Sequence, residues 1–495
     1  MKSVLNALTL LVVILSIIQA SAQKNPVAEI NRVITEADAR AHLAFLAADE
    51  MRGRDTGSPE LRIAGNYLAS TFSRYGLKTV PGLSNYFQPV QLEKRTPATS
   101  ATVQIGEDKF VNRENLVVID GNDLTWSGDF IYAGYGSSEE LEKLNVKGKM
   151  VLALAGSRES DNINRVLSAS TSKLGEAKRL GATGLVEILT TSQVPFQALV
   201  NFFAGGTRWG LEQEGAVIPH IWIKPEDVKN ISYKENQQIS GSLSVSGSAR
   251  EQVVGRNVAA LIAGTDSKLK DEYVIITAHY DHIGVGRPDS NGDSIFNGAR
   301  DNAIGTVALL QTAKYLAQYP PKRSVILLAL TSEEKGLLGS RWYADHPLVP
   351  LEKHVLNINC DGVGYNDTSI ITSISLGRTS ADATLQKAVK AFGLGLGGDP
   401  DPKEGFYERS DQVSFASKGI PAIKLQPGLA KMDDEIRKYY HRQPDEVSSL
   451  DFNYLTTFYR TFVYAVVLLA NEGTPPFWVK GDKFEETGKK LYGKN

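Results

Sequence analysis

The chain has almost no sulfur to spare for cross-links. One cysteine, Cys360, occurs in 495 residues, so no disulfide can form within the chain and stability has to come from the size of the core. Cys360 ends an apolar run beside Asp361, and a buried small side chain is the expected reading rather than a nucleophile. Charge of one sign is also missing. With 54 Lys and Arg against 56 Asp and Glu, the net charge of −2 leaves no basic field to collect nucleic acid. Long apolar runs are absent too, apart from one that covers Leu8 to Ile18 and is short for a membrane span. Lys2 precedes that run and Ala20-Ser21-Ala22 follows it before Gln23, the pattern of a cleaved signal peptide over 1–22. The expectation is export to a secreted or periplasmic location, with no stable membrane association after cleavage and no lipid anchor, since no cysteine sits at the cleavage point.

What remains is an ordinary globular composition in a chain too long for one core, so two domains are expected. Residues 37–48 and 61–77 read as helices around the turn MRGRDTGSPE. From about 100 to 250, short strand-like runs (FVNRENLVVID, DFIYAGYG, KMVLALAG) alternate with turns, and one helical piece, LGEAKRLGATG, intervenes. No His/Asp/Glu cluster occurs there, and the stretch reads as an inserted β-rich domain. From 253 onward the rhythm changes. YVIITA, SVILLALTS, HVLNINC and IPAIKLQ are strands separated by helical segments, and 449–473 makes a long closing helix. That alternation predicts an α/β fold, a mostly parallel central sheet flanked by helices. The expected organisation is a catalytic domain in two pieces, 23–100 and 251–475, the insertion at 101–250, and a solvated tail at 476–495. His346 and His354 flank what looks like an exposed connection, and they, His42 and His282 receive no role.

The chemistry-bearing residues gather where the strands end, the place where open α/β sheets bind ligands. His279 and Asp281, in AHYDH, project to one side of an extended segment. One can bind metal while the other orients the imidazole. Asp301, in GARDNAIG, either caps the following helix or, if Asn302 caps it, is free to bridge two cations. Glu333 and Glu334 are adjacent acids at a strand end, a pair that repel unless a cation or proton is shared. Asp361 closes another strand, and His441 follows Tyr439-Tyr440. Two histidines and several carboxylates spread over successive strand ends read as a two-metal hydrolase.

Together AHYDH, GARDNAIG, SEEKG, NCDGVG and YYHRQPDE resemble the M28 zinc aminopeptidases. RGRDTGSPE and ERSDQVSFASKGIPAI are similar to further segments of that family, and the 101–250 region resembles the protease-associated (PA) domain inserted in some members. The resemblance implies two Zn2+ ions per chain and peptide substrates. His279 and Asp361 would hold one zinc, Glu334 and His441 the other, and Asp301 would bridge. Glu333 would be the general base, Asp281 would orient His279, and the Tyr440 hydroxyl would stabilise the tetrahedral intermediate. One position departs from the pattern: Gln412 stands where many relatives have histidine, which puts the substrate pocket in question. Two other readings share the scaffold. A glutaminyl-peptide cyclotransferase works with one zinc, whereas the whole two-metal set is present here. A silent exported binding protein would be expected to have lost a ligand or the base.

Overall fold

The computed structural model describes residues 25–158, 162–191, 193–212, 215–228 and 233–493. The expected signal peptide, 1–22, lies outside them. Among the described residues, no helix is long and apolar enough to cross a membrane. The chain divides into two compact units, one formed by Met1–Val90 with Val254–Asn495 and the other by Gln91–Val253.

In the first unit the elements that matter are β1 (Ala249–Ile262, in this unit from Val254 on), β2 (Tyr273–His279), α1 (Ile304–Gln318), β3 (Ser324–Leu330), α2 (Leu338–Asp345), β4 (His354–Cys360), β5 (Ile370–Ser373), α3 (Asp382–Ala391), β6 (Gly395–Gly397), α4 (Gln412–Ser417), β7 (Ala422–Pro427), α5 (Asp434–Tyr439) and α6 (Phe452–Asn471). Their strands run in the order β6-β5-β7-β4-β2-β3-β1. The four in the middle, β7, β4, β2 and β3, are mutually parallel, while β1 pairs antiparallel with β3 and β5 antiparallel with β7. The α/β architecture is therefore the one the alternating pattern predicts.

Strand periodicity explains how the sheet is covered on both faces. Val274, Ile276 and Ala278 of β2, with Val325, Leu327 and Ala329 of β3, enter one core with Leu310 of α1 and Phe458 and Phe462 of α6. The alternate residues Ile275, Ile326 and Leu328 enter a second core with Tyr343 of α2 and Phe415 of α4. Two fully covered faces leave every residue of β3 buried, as a continuous apolar run requires. Cys360 lies in the first core, 1% exposed, as expected. On β4 the second face carries Asn357 and Asn359 instead of apolar residues. Each finds partners there: Asn357 donates to Thr277 (3.0 Å) and Asn359 to Ser410 (2.8 Å).

The second unit is built on an eight-stranded mixed sheet, with the helices Ile163–Arg179 and Phe196–Ala204. The helical piece expected at LGEAKRLGATG is the end of the first of these, and the second helix stands in a stretch where only that one helical piece was expected. Glu187 is fully buried here, bonded by Lys173 (2.6 Å), His220 (2.6 Å) and Trp222 (2.9 Å). Both its oxygens are bonded within the protein, which makes this a satisfied core cluster.

Two surface expectations are corrected. The segment expected as a solvated tail packs down: Trp478 is buried and donates to the Gly419 carbonyl (3.0 Å), Arg378 holds Asp482 (2.7 Å), and Tyr492 bonds the His354 carbonyl (2.6 Å). Lys489 and Lys490 lie in the last turn of the short helix Glu485–Leu491, while the aromatic residues Trp478 and Tyr492 do the anchoring. His354 is buried rather than exposed, between Tyr343 (3.0 Å) and the Pro350 carbonyl (3.0 Å). Burial lowers its pKa from 6.5 to about 4. The unfolded chain therefore takes up a proton at this residue before the folded one does, and stability is lost as pH falls from 6.5 through 4. The expected size is up to roughly 3 kcal/mol. Urea unfolding at a series of pH values should show a flatter profile across this window for His354→Gln than for the wild type.

Candidate metal centre

Each predicted site residue sits at or close to one end of a regular element. His279 is the last residue of β2, and Asp361 follows β4 directly. After β3, Ser332 adopts a left-handed backbone (φ 59°), a tight reversal that turns Glu333 and Glu334 back over the end of the sheet. His441 also has positive φ (53°), just after α5. Asn302, not Asp301, takes the capping bond: its Oδ1 accepts from the Gly305 amide (3.1 Å), and its amide donates to the Cys360 carbonyl (2.9 Å). Gly305 has to be glycine, because a Cβ there would lie 2.2 Å from that same carbonyl. With the cap supplied by Asn302, both Asp301 oxygens are left for the site.

Those two oxygens face opposite ways. Oδ1 lies 3.3 Å from His279 Nε2, which is also 3.3 Å from Asp361 Oδ1. Oδ2 lies 3.2 Å from His441 Nε2, which is also 3.2 Å from Glu334 Oε2. Two sets of one imidazole nitrogen and two carboxylate oxygens thus share Asp301. Ligands about 2.0–2.1 Å from a tetrahedral zinc are separated from one another by about 3.3 Å, so both sets have the spacing and chemistry zinc takes. The remaining oxygens of the outer carboxylates are tied back. Asp361 Oδ2 accepts from Ser410 and from Lys424 Nζ (3.1 Å), and Glu334 Oε1 is bonded by His282 Nδ1 (2.8 Å). His279 Nδ1 meets the Asp281 carbonyl (3.2 Å), which leaves Nε2 for the centre.

Asp281 is placed differently from a simple histidine orienter. Its carboxylate is 3.8 Å from His279 Nδ1, and its two oxygens accept the amides of Glu333 (3.1 Å) and Glu334 (3.2 Å). It fixes the backbone of the acidic pair. Glu333 places its Oε2 4.0 Å from His279 Nε2 and keeps a little solvent access. Tyr440 lines the same small cavity, about 60 Å3, with its ring stacked on His441 at 4.2 Å. That volume suits small ions and water, whose share of liquid volume is about 30 Å3 per molecule. A larger cavity, about 590 Å3, lined by Glu352, Phe477, Trp478 and Tyr492, contains none of the predicted site residues.

Three contributors received no role from the sequence, although each lies within a segment quoted for the resemblance, AHYDH, YYHRQPDE or RGRDTGSPE. His282, fully buried, orients Glu334; only its place in HYDH marks it. Asp445 accepts the Arg300 amide (2.9 Å) and the Asp301 amide (3.3 Å), and so holds the bridging residue's backbone. Arg54 is buried and donates to the carbonyls of Leu46, Tyr280, Asn297 and Gly298, tying the RGRDTG turn under the loops of the centre. Gln412 does not line the cavity. It is buried behind Asn359, accepting from that residue's amide (3.1 Å), and this removes the reason to expect an altered pocket from it.

The electrostatics match a cation site. Burial opposes charge throughout, yet Asp301 and Glu334 raise the His441 pKa to about 10, and Glu333, Asp301 and Asp361 push His279 well above its usual value. Asp301 is correspondingly held well below the usual carboxylate range by His279 and His441. Glu333 goes the other way. Burial first, and then repulsion from Asp361, Asp411 and Glu334, raise it well above the usual range. Carboxylates that hold protons on two imidazoles this firmly can exchange them for divalent ions.

Residues 257–466 match the description "Peptidase family M28". This segment belongs to the M28 family. Aminopeptidase YwaD of Bacillus subtilis (strain 168) is 27% identical over 243 residues, which covers 47% of this chain and 47% of that protein. Leucine aminopeptidase 2 of Trichophyton equinum is 24% identical over 352 residues, covering 65% of this chain and 62% of its own length. The matched stretches thus span less than two thirds of these curated relatives. In structure the chain is similar to an aminopeptidase from Aneurinibacillus sp. strain AM-1, with a TM-score of 0.55, 21% identity, and coverage of 91% of this chain and 97% of that one. The M28 likeness falls on the unit that carries all eight predicted site residues.

In this M28 segment the Asp281 clamp should be measurable by itself. Asparagine offers one acceptor oxygen where two amides need one each. Asp281→Asn is therefore expected to lose about 1–3 kcal/mol in urea unfolding and to weaken metal affinity by roughly tenfold to a hundredfold. Equal stability and equal zinc affinity in the variant would remove Asp281 from the centre.

Proposed function

We propose that the chain is an exported zinc-dependent peptidase, an aminopeptidase that removes N-terminal residues from peptides. The observation that carries this reading is Asp301, whose two oxygens each complete a donor set, at 3.3 Å and 3.2 Å. Two complete sets favour a two-metal hydrolase over a one-metal cyclotransferase, and an intact set of ligands and base argues against a silent binding protein. The names of the curated relatives, aminopeptidases, support the same activity.

His279 and Asp361 would hold one zinc, Glu334 and His441 the other, with Asp301 between them. Bound there, the pair of ions would supply Lewis acidity and an activated water. Glu333 is the general base: burial and neighbouring carboxylates raise its proton affinity, so it can accept the water's proton and deliver it to the leaving amine. Tyr440 remains a protonated donor, because burial and the nearby Asp301 and Glu334 raise its pKa, and its hydroxyl can bond the oxyanion at the scissile carbonyl. Asp281 and His282 keep the acidic pair in place. The signal-like 1–22 segment supports export, and the β-rich unit Gln91–Val253 is read as a PA-like insertion in the peptidase domain.

The test combines metal content with turnover. Purified protein should contain about two zinc ions per chain, lose hydrolysis of aminoacyl substrates on chelation and regain it with zinc. Glu333→Gln should keep its metal and lose kcat by roughly a hundredfold or more. Asp301→Ala should lose both ions together. Normal turnover in the glutamine variant would sink the base assignment, and loss of a single ion in Asp301→Ala would sink the bridge.

A further inference from the structure

Lys424 lies in the strand IPAIKLQ and in none of the chemistry-bearing motifs, yet its side chain reaches the centre. It occupies β7 beside Asn359 of β4, at the level where β4 gives way to Asp361. The alternate residues Ile423 and Leu425 enter the apolar core, so Lys424 must project from the opposite face. Its side chain is 7% exposed, and its Nζ lies 3.1 Å from Asp361 Oδ2. A lysine buried among apolar strands is rare unless paired. Neutralising Asp361 is one reason for it to be there, but Asp361 already has Ser410 and His279 as partners. An ammonium has three donors, and the bond to Asp361 uses one.

A second cation lines the same cavity. Arg409 lies on the other side of the Ser410-Asp411 corner, its guanidinium over the Phe406 ring at 5.6 Å. Among the described residues no carboxylate is bonded to it, whereas Arg378 in the same unit is paired with Asp482 (2.7 Å). Asp399, whose carboxyl is within reach of the Lys424 charge, accepts the Asp401 amide (3.0 Å). The cavity is therefore lined by the metal-ligand carboxylates together with two cations, Lys424, which bonds Asp361 with one of its three donors, and Arg409.

We infer that Lys424 and Arg409 form a subsite for a substrate carboxylate, so that the centre prefers peptides with an anionic group close to the scissile bond. The inference rests on the peptidase reading and deepens it. Two sources offer that chemistry: the acidic side chain of an N-terminal Glu or Asp, or the free terminal carboxylate of a dipeptide. A guanidinium and an ammonium facing one carboxylate make charge-assisted bonds that a neutral isostere cannot reproduce.

The zinc-loaded full chain is assayed on glutamyl, glutaminyl and leucyl p-nitroanilides, and on Leu-Leu against Leu-Leu amide. One of the two charged substrates should exceed its neutral counterpart by about tenfold or more in kcat/KM, mostly through KM. A glutamyl preference identifies the side chain as the source, and a preference for the free dipeptide identifies the terminus. Lys424→Met and Arg409→Gln should each reduce that ratio by about tenfold. Arg409 is exposed and unpaired, so its variant keeps the readout independent of folding. Ratios near one in both pairs, or variants that slow charged and neutral substrates equally, overturn the inference and leave Lys424 as a partner of Asp361 alone. Calorimetric titration with free glutamate against glutamine, and with leucine against leucinamide, reads the subsite without turnover. Preferential binding of either carboxylate, lost in Arg409→Gln, with no peptide cleaved would retain the subsite and reject the peptidase. Leucyl hydrolysis with no preference in either titration would do the reverse.

Discussion

Acidic groups packed out of water repel one another, and the architecture around the strand ends follows from that constraint. Asp281, Asp301, Glu333, Glu334, Asp361 and Asp411 all lie within one buried region. Left uncompensated, such a cluster would take up protons or unfold. The chain answers with protein cations at the rim and imidazoles at the middle. Arg54 lies beneath, with its own pKa lowered to about 10 by burial, and Lys424 lies against Asp361. His279, His282 and His441 meet the carboxylates directly. What the protein groups leave over is the negative charge that two divalent ions can match.

The same constraint separates the two adjacent glutamates. Glu334 has one oxygen bonded to His282 and the other near His441, so it is held as an anion. Glu333 is buried and has only the distant His279 to balance three neighbouring acids, so its carboxyl retains protons more readily. Identical side chains in consecutive positions thereby acquire different proton affinities from their partners alone. Asp281 makes that division mechanically possible, because its two oxygens grip the two successive amides and prevent the pair from exchanging places.

Rigidity comes from the scaffold rather than from cross-links. With its single cysteine buried in the core, the chain positions the centre by a sheet covered on both faces and by polar bonds from remote segments. Arg54 reaches from the N-terminal turn to the loops after β2 and before α1, and Asp445 reaches from the segment after α5 to the amides of Arg300 and Asp301. These bonds are made to backbone groups, so they fix where the ligands start rather than touching the ligands' own functional atoms.

The sheet strands, the long helices and the placing of His279, Asp301, Glu333, Glu334, Asp361 and His441 near element ends were legible in the sequence. Apolar period and strand-end position are local properties, and a polar residue closing an apolar run stands out without knowledge of the fold. The buried place of His354, the anchored C-terminal segment, and the parts played by His282, Asp445 and Lys424 were not. Each depends on a partner tens to hundreds of residues away, such as Asp361 for Lys424 or Arg300 for Asp445, and no local pattern encodes such a pairing. Asp301 shows the boundary most directly. By sequence alone it is equally a helix cap and a bridge, and only the tertiary placement of Asn302 against Cys360 and Gly305 releases both its oxygens to the centre.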